Sequence, residues 1–179
     1  RINITRKIVG KFTVHHEVGD DDPRLRICVA AGTGLAPFTS MVFDHFHRFG
    51  PTEQYAILHG ARWPREVGYR DALDEMLNPP GKPRRYFPTI SRDPGEESWP
   101  AHYGRGRVET FFDEGKIDEL EQHLGLEAGG LNPRNAVVFI CGLTGTISST
   151  LLRLLDRGFV PRDRTLRKAF GVPEETPAN

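Results

Sequence analysis

The chain is poor in the residues that announce many function classes. It has only two cysteines in 179 residues. Cys28 and Cys141 sit in separate apolar runs, so there is neither a disulfide framework nor metal-ligand spacing, and the usage fits a reducing compartment. No apolar run is long enough to span a bilayer, and no signal peptide opens the chain. There is no excess of either charge: 24 basic residues balance 24 acidic ones. That removes any global pull toward nucleic acid or an anionic membrane. The seven histidines are scattered, and His45 and His47, two apart on one helical pattern, point in different directions. No metal site is expected. No internal repeat is visible. The initiator methionine is also missing, and "RINITRKIVGKFTVHHEV" reads as the end of something begun earlier, so a fragment or processed chain is expected.

What is present is alternation. "LRICVAA" (25–31) is a run of strand length closed by Gly32, and such runs suit strands buried on both faces. Pro37 follows in a first helical turn, where its missing N–H costs nothing. Phe38, Met41, Val42, Phe46 and Phe49 then recur at helical spacing until Gly50-Pro51 stops them. "YAILHGA" (55–61) is a second strand and "REVGYRDALDEML" (65–77) a second helix. "RRYFPTIS" (84–91) is a third strand, whose Pro88 hints at an edge. A polar loop over 92–106 leads to two short helical patterns, "RVETFFDEG" and "KIDELEQHLG". "AVVFICG" (136–142) is the fourth strand, and 146–158 is a helix with Ile147, Leu151, Leu154 and Leu155 on one face. The tail from Asp163 is expected to add one more short strand or helix and then fray. The pattern predicts an α/β fold: a doubly wound, parallel, five-stranded sheet with helices on both faces.

Ligands of such sheets bind beyond the carboxyl ends of the strands, near the switch point. Three sequence features fall at those ends. Gly32-Thr33-Gly34 offers backbone N–H groups at a helix N-terminus, an anion seat, or else a plain tight turn. It lacks the third glycine of the G-x-G-x-x-G fingerprint. Ser91-Arg92, with Arg107 after the loop and Arg62 at the end of the second strand, suits a phosphate monoester, or else a solvated loop. Cys141-Gly142 closes the fourth strand. There a small soft side chain would lie beside a flat ring, or would simply pack. No base lies near Cys141 in sequence, which disfavours nucleophilic catalysis. Cys28, mid-strand, is read as packing.

Taken in order, "GKFTV" (10–14), "AAGTGLAPFTSM" (30–41), "LHGARWPREVGYRDAL" (58–73), "YFPTISRDP" (86–94), "GRGRVETFFDEGK" (104–116) and "VVFICGLTGT" (137–146) resemble the NADP-binding domain of the ferredoxin–NADP reductase family, bacterial type. The resemblance implies that residues 1–23 are the end of a flavin-binding barrel and a linker, 24–170 the NADP-binding domain, and 171–179 a tail. It implies that Gly32, Thr33 and Gly34 line the pyrophosphate and nicotinamide end of NADP(H). Ser91, Arg92 and Arg107 would hold the adenosine 2′-phosphate, with Arg62 in support. Cys141, the expected catalytic-site residue, and Gly142 would lie where hydride passes to FAD. The flavin would be held largely by a barrel this chain lacks, since no Arg-x-Tyr-Ser flavin motif is found. Ferredoxin or flavodoxin would be the electron partner, in the cytoplasm, with no nucleic acid or membrane insertion. The alternatives are an NADH-using oxygenase-reductase domain and a non-catalytic NADPH-binding module. Ser91-Arg92 argues against the first, because a ribose 2′-hydroxyl needs no arginine fork.

Overall fold

The computed structural model describes residues 10–92 and 99–177. Five strands, β1 (Leu25–Ala31), β2 (Tyr55–Ala61), β3 (Tyr86–Ile90), β4 (Gly104–Arg105) and β5 (Ala136–Cys141), form one sheet in the order β4-β3-β2-β1-β5. Every pairing is parallel, with Cys28 of β1 opposite Ile57 of β2 and Phe139 of β5. The chain winds outward from β1 through β2 to β4, then returns to place β5 on the other side of β1. The switch point therefore lies between β1 and β5.

Alternate residues of the long strands feed two cores. Ile27, Val29, Leu58 and Phe87 pack with Phe112, Ile117, Leu120 and Leu154, which brings α4 (Lys116–His123) and α5 (Thr144–Leu155) onto one face. Cys28, Ala30, Ile57, Tyr86 and Phe139 pack with Phe38, Val42, Leu73 and Leu77, which brings α2 (Leu35–Phe49) and α3 (Arg70–Leu77) onto the other. Cys28 is fully buried and its thiol pKa is pushed up by desolvation, as expected of a packing cysteine. β1 is not wholly apolar: Arg26 is buried within it, and its guanidinium donates to Gln54 Oε1 and to the carbonyls of Asp20 and Asp22.

Three elements differ from the sequence reading. The fifth strand comes from the polar loop, not the tail. β4 is only two residues long and leaves no periodicity to read. It is held by Gly106 N–H donating to the Ile90 carbonyl (2.8 Å) and by Thr89 Oγ1 donating to the Gly106 carbonyl (2.9 Å). Residues 93–98 of that loop lie outside the described residues. The tail forms the helix of the two expected alternatives, α6 (Arg164–Ala169), capped by the Asp163 carboxylate accepting from Leu166 N–H. The expected helix over 65–77 is broken into a 3₁₀ turn, Pro64–Glu66, and α3, because Tyr69 takes a left-handed φ of 57° between them. "RVETFF" likewise winds as a 3₁₀ segment, Val108–Phe112.

Pro88 explains itself by register. Ile57 N–H donates to the Arg85 carbonyl, so alternate residues from Arg85 face β2 and Pro88 faces the opposite side. There β4 pairs only with Thr89 and Ile90, so the missing N–H falls on the sheet's outer edge. At the N-terminal end, residues 1–9 lie outside the described residues. From Gly10 the chain runs into a one-turn helix, α1 (Val14–Glu17), capped by Thr13, and Phe12 rests against Phe38 and Phe139 with ring centroids 5.9 and 6.0 Å away.

One buried group gives the fold a pH dependence. His59 in β2 is 1 % exposed, with Nδ1 3.1 Å from Tyr86 Oη and Nε2 without a hydrogen-bond partner. Desolvation lowers its pKa from the ordinary 6.5 to about 4. The folded chain thus keeps a neutral imidazole where the unfolded chain binds a proton, and stability falls as pH drops through that window. At about 1.36 kcal/mol per pKa unit the loss by pH 4 is about 3 kcal/mol. Urea unfolding between pH 7 and pH 4 is expected to show His59→Gln losing less stability than wild type by that margin; parallel losses in the two proteins would refute it.

Candidate functional site

The expected site residues all lie at the carboxyl ends of the strands, in three groups. The first surrounds the switch point. Gly32–Gly34 is a single 3₁₀ turn between β1 and α2, and no side chain caps α2. Gly32 and Thr33 are exposed while Gly34 is buried. A Cβ on Gly34 would fall 2.1 Å from the Cys141 carbonyl oxygen and 3.2 Å from Gly142 N. A Cβ on Gly142 would fall 2.9 Å from that of Ala31. The turns after β1 and β5 are therefore packed backbone to backbone. This leaves the exposed half of the Gly-Thr-Gly turn facing outward at an uncapped helix start, the geometry in which backbone N–H groups receive an anion. Cys141 is partly buried beside the α2-side core.

The second group joins the ends of β2 and β3. Ser91 N–H donates to the Ala61 carbonyl (3.0 Å) and Arg92 N–H to the Arg62 carbonyl (2.9 Å). Arg62, Ser91 and Arg92 are exposed. Trp63, next to Arg62 in sequence, has the guanidinium carbon of Arg92 5.7 Å and that of Arg65 5.9 Å from its ring centroid. Neither the Arg62 nor the Arg92 guanidinium has an acidic partner among the described residues, although the Arg62 backbone N–H donates to Glu66 Oε2 (3.1 Å). Trp63 and Arg65 were not singled out from sequence. The signal was an aromatic residue between arginines in "RWPR", directly after a strand.

Arg107 stands apart in its electrostatics. Its Nε lies 2.5 Å from Glu109 Oε1, and its Nη2 lies 4.0 Å from where a Gly145 side chain would begin, in the first turn of α5. Glu109 is buried and was also missed from sequence, where it reads as one acid in a mixed run. Elsewhere a cavity of about 210 Å³ opens at the outer edge of β3, lined by Arg84, Phe87, Thr110, Lys116 and His123 among others. None of the expected site residues borders it. Among the described residues there is no group of three or more His, Cys, Asp or Glu side chains placed to hold a metal ion, and no helix is long and apolar enough to cross a membrane.

A profile of the family described as oxidoreductase NAD-binding domain matches residues 28–150. The chain belongs to that family. The match takes in the whole switch-point turn, both arginine-bearing strand ends and the Cys141-Gly142 turn. Relatives include Ferredoxin–NADP reductase A of Sorangium cellulosum, 29 % identical over 164 residues that cover 83 % of this chain and 54 % of the relative. Ferredoxin–NADP reductase B of the same organism is 36 % identical over 137 residues, 76 % of this chain and 49 % of the relative. The terephthalate 1,2-dioxygenase reductase component 2 of a Comamonas species is 31 % identical over 143 residues, 80 % of this chain and 37 % of the relative. Among solved structures, a ferredoxin NADP+ reductase from Neisseria gonorrhoeae with bound FAD and NADP aligns with a TM-score of 0.61 at 22 % identity, over 80 % of this chain and 53 % of that one. That likeness establishes the shared fold. The chain spans about half the length of four of the ferredoxin–NADP reductases it matches in sequence and about a third of that from Thermosynechococcus vestitus.

Proposed function

We propose that this chain is the NADP(H)-binding half of a flavin-dependent ferredoxin or flavodoxin–NADP reductase. The observation that carries the reading is that the guanidinium groups of Arg62 and Arg92, exposed where β2 and β3 end, have no acidic partner among the described residues. Two guanidinium forks beside a hydroxyl donor, Ser91, suit a phosphate monoester. The uncapped start of α2 with Gly32 and Thr33 suits the pyrophosphate.

On this reading Cys141 and Gly142, packed against Gly34, floor the nicotinamide end. The Gly34 contact sets how close a ring can lie to the Cys141 side chain, which positions the reacting carbon for transfer. Ser91 and Arg92 hold the adenosine 2′-phosphate, with Arg62 supporting, while the Arg107 charge is met by Glu109. When bound, NADP(H) supplies a hydride donor or acceptor for a flavin carried largely by another domain. The electron partner is ferredoxin or flavodoxin and the setting cytoplasmic.

The test is direct titration of the purified chain by calorimetry. NADP is expected to bind more tightly than NAD, with no stoichiometric FAD retained and no yellow colour. Absence of binding by either nucleotide would sink the reading; stoichiometric flavin would sink the division of labour. One observation favours a second reading, an NADH-using oxygenase-reductase domain: the Arg107 charge is already met by Glu109. Equal affinity for NADP and NAD would select it.

A further inference from the structure

Arg107 looks from sequence like a second phosphate-binding arginine, but the fold places it in a different electrostatic position from Arg92. Its side chain is 62 % exposed while that of its partner, Glu109, is 5 % exposed. Oε1 of Glu109 meets Arg107 Nε, and Oε2 is buried with no hydrogen-bond partner. A buried carboxylate with one oxygen unmatched is costly and calls for an explanation.

The pair is also fixed in place. Val108, between its members, is 2 % exposed and lies so close to Gly60 that a Cβ there would come within 2.8 Å of the Val108 Cβ. The Arg107 carbonyl accepts from both Thr110 N–H (3.0 Å) and Thr110 Oγ1 (2.7 Å). These contacts fix the backbone around the pair, while the Arg107 side chain, itself largely exposed, is held by the Glu109 carboxylate. Its guanidinium also lies by the first turn of α5, the positive end of that helix dipole, where a lone cation is disfavoured.

We propose that Glu109 is a positioning residue that sets nucleotide choice by occupying Arg107, an inference that rests on the nucleotide-binding reading above. With its charge met by Glu109, Arg107 adds little to recognition of a 2′-phosphate. Discrimination between NADP and NAD is left to Arg92 and Arg62 and is weaker than three free arginines would give. Removing the Glu109 charge while keeping its shape releases Arg107 toward the phosphate.

The test is calorimetric titration of NADP and NAD into the full chain as wild type, Glu109→Gln, Arg107→Gln and the double variant. Glu109→Gln is expected to raise the NADP-over-NAD affinity ratio about tenfold, the worth of one charge-assisted contact. Arg107→Gln, an exposed substitution, is expected to leave the wild-type ratio nearly unchanged and to abolish the gain when added to Glu109→Gln. A purely structural counter-ion would alter melting temperature without moving the ratio, so an unmoved ratio in Glu109→Gln overturns the proposal. So does a sharp fall of the ratio in Arg107→Gln alone, which stays decisive if Glu109→Gln does not fold. If wild type binds neither nucleotide, the nucleotide-binding reading itself fails, and the proposal with it.

Discussion

Replacing both Arg62 and Arg92 with alanine is expected to weaken NADP binding about a hundredfold and to leave NAD binding nearly unchanged. A hydrogen bond to a charged group contributes about 1.5–3 kcal/mol, and exposure at the strand ends pulls each arginine toward the lower end of that range. About 1.4 kcal/mol is a factor of ten, so two independent contacts multiply to about two decades. Neither guanidinium has an acidic partner among the described residues to release on substitution, so the loss reports contacts to ligand and not a rearranged ion pair. The Ser91 and Arg92 backbones remain tied to β2 through the Ala61 and Arg62 carbonyls, which alanine does not disturb. Arg65→Ala removes the other cation beside Trp63 and serves as the control for nonspecific charge. Titration of 2′,5′-ADP and 5′-ADP isolates the phosphate from the nicotinamide. Equal losses for both ligands, or none for either, would remove the 2′-phosphate assignment and leave Arg62 and Arg92 as solvated loop residues.

The same strand ends show how far the residues alone could be read. β1, β2 and β5 were legible because each is a long, mostly apolar run closed by glycine or by a residue next to one, with β1 and β2 buried on both faces and β5 partly so. α2 was legible from its period, its early proline and its Gly50 stop. β4 was not, because two residues carry no pattern; it exists through hydrogen bonds to Ile90 and Thr89. The helix boundary near Tyr69 was not, because a left-handed tyrosine has no local signature; it interrupts an amphipathic run that otherwise continues. In the site, the positions of glycines, serine and arginines were readable, since strand ends can be counted. Their electrostatic condition was not. Arg92 and Arg107 look alike as letters, yet one lies over Trp63 and the other lies against a buried carboxylate. That difference is set by the turn after β4 and by the packing of Val108 on Gly60. The purpose of Gly34 was hidden in the same way: its neighbour is a carbonyl more than a hundred residues along the chain.

That neighbour makes Gly34→Ala the substitution expected to damage the fold most. Gly34 has φ −60° and ψ −10°, a conformation any residue adopts, so backbone freedom does not explain the glycine. Space does. The added Cβ would lie 2.1 Å from the Cys141 carbonyl oxygen and 2.6 Å from its carbon. Both are backbone atoms at the end of β5, paired in register with β1, so no side-chain rotation relieves the clash. Either α2 shifts outward at its first turn or β5 frays at its last pair. Overpacking of this kind costs about 1–3 kcal/mol and occasionally more, and the immobility of these backbone atoms places this case at the upper end. For a chain of this size that corresponds to a fall in melting temperature of about 6–12 °C. Gly32→Ala is the contrasting control: its φ of 56° strains an alanine backbone, but nothing lies within 4 Å of the new Cβ, so about 1–2 kcal/mol is expected, and Gly32→Asn is expected to recover part of it. Because the clash falls on Cys141 and the shift on the start of α2, Gly34→Ala is also expected to weaken nucleotide binding in whatever fraction remains folded. Thermal melting and nucleotide titration of the three variants test this together. A Gly34→Ala protein that melts with wild type would show that the two turns are not in contact, and the shared floor proposed for the nicotinamide would have to be abandoned.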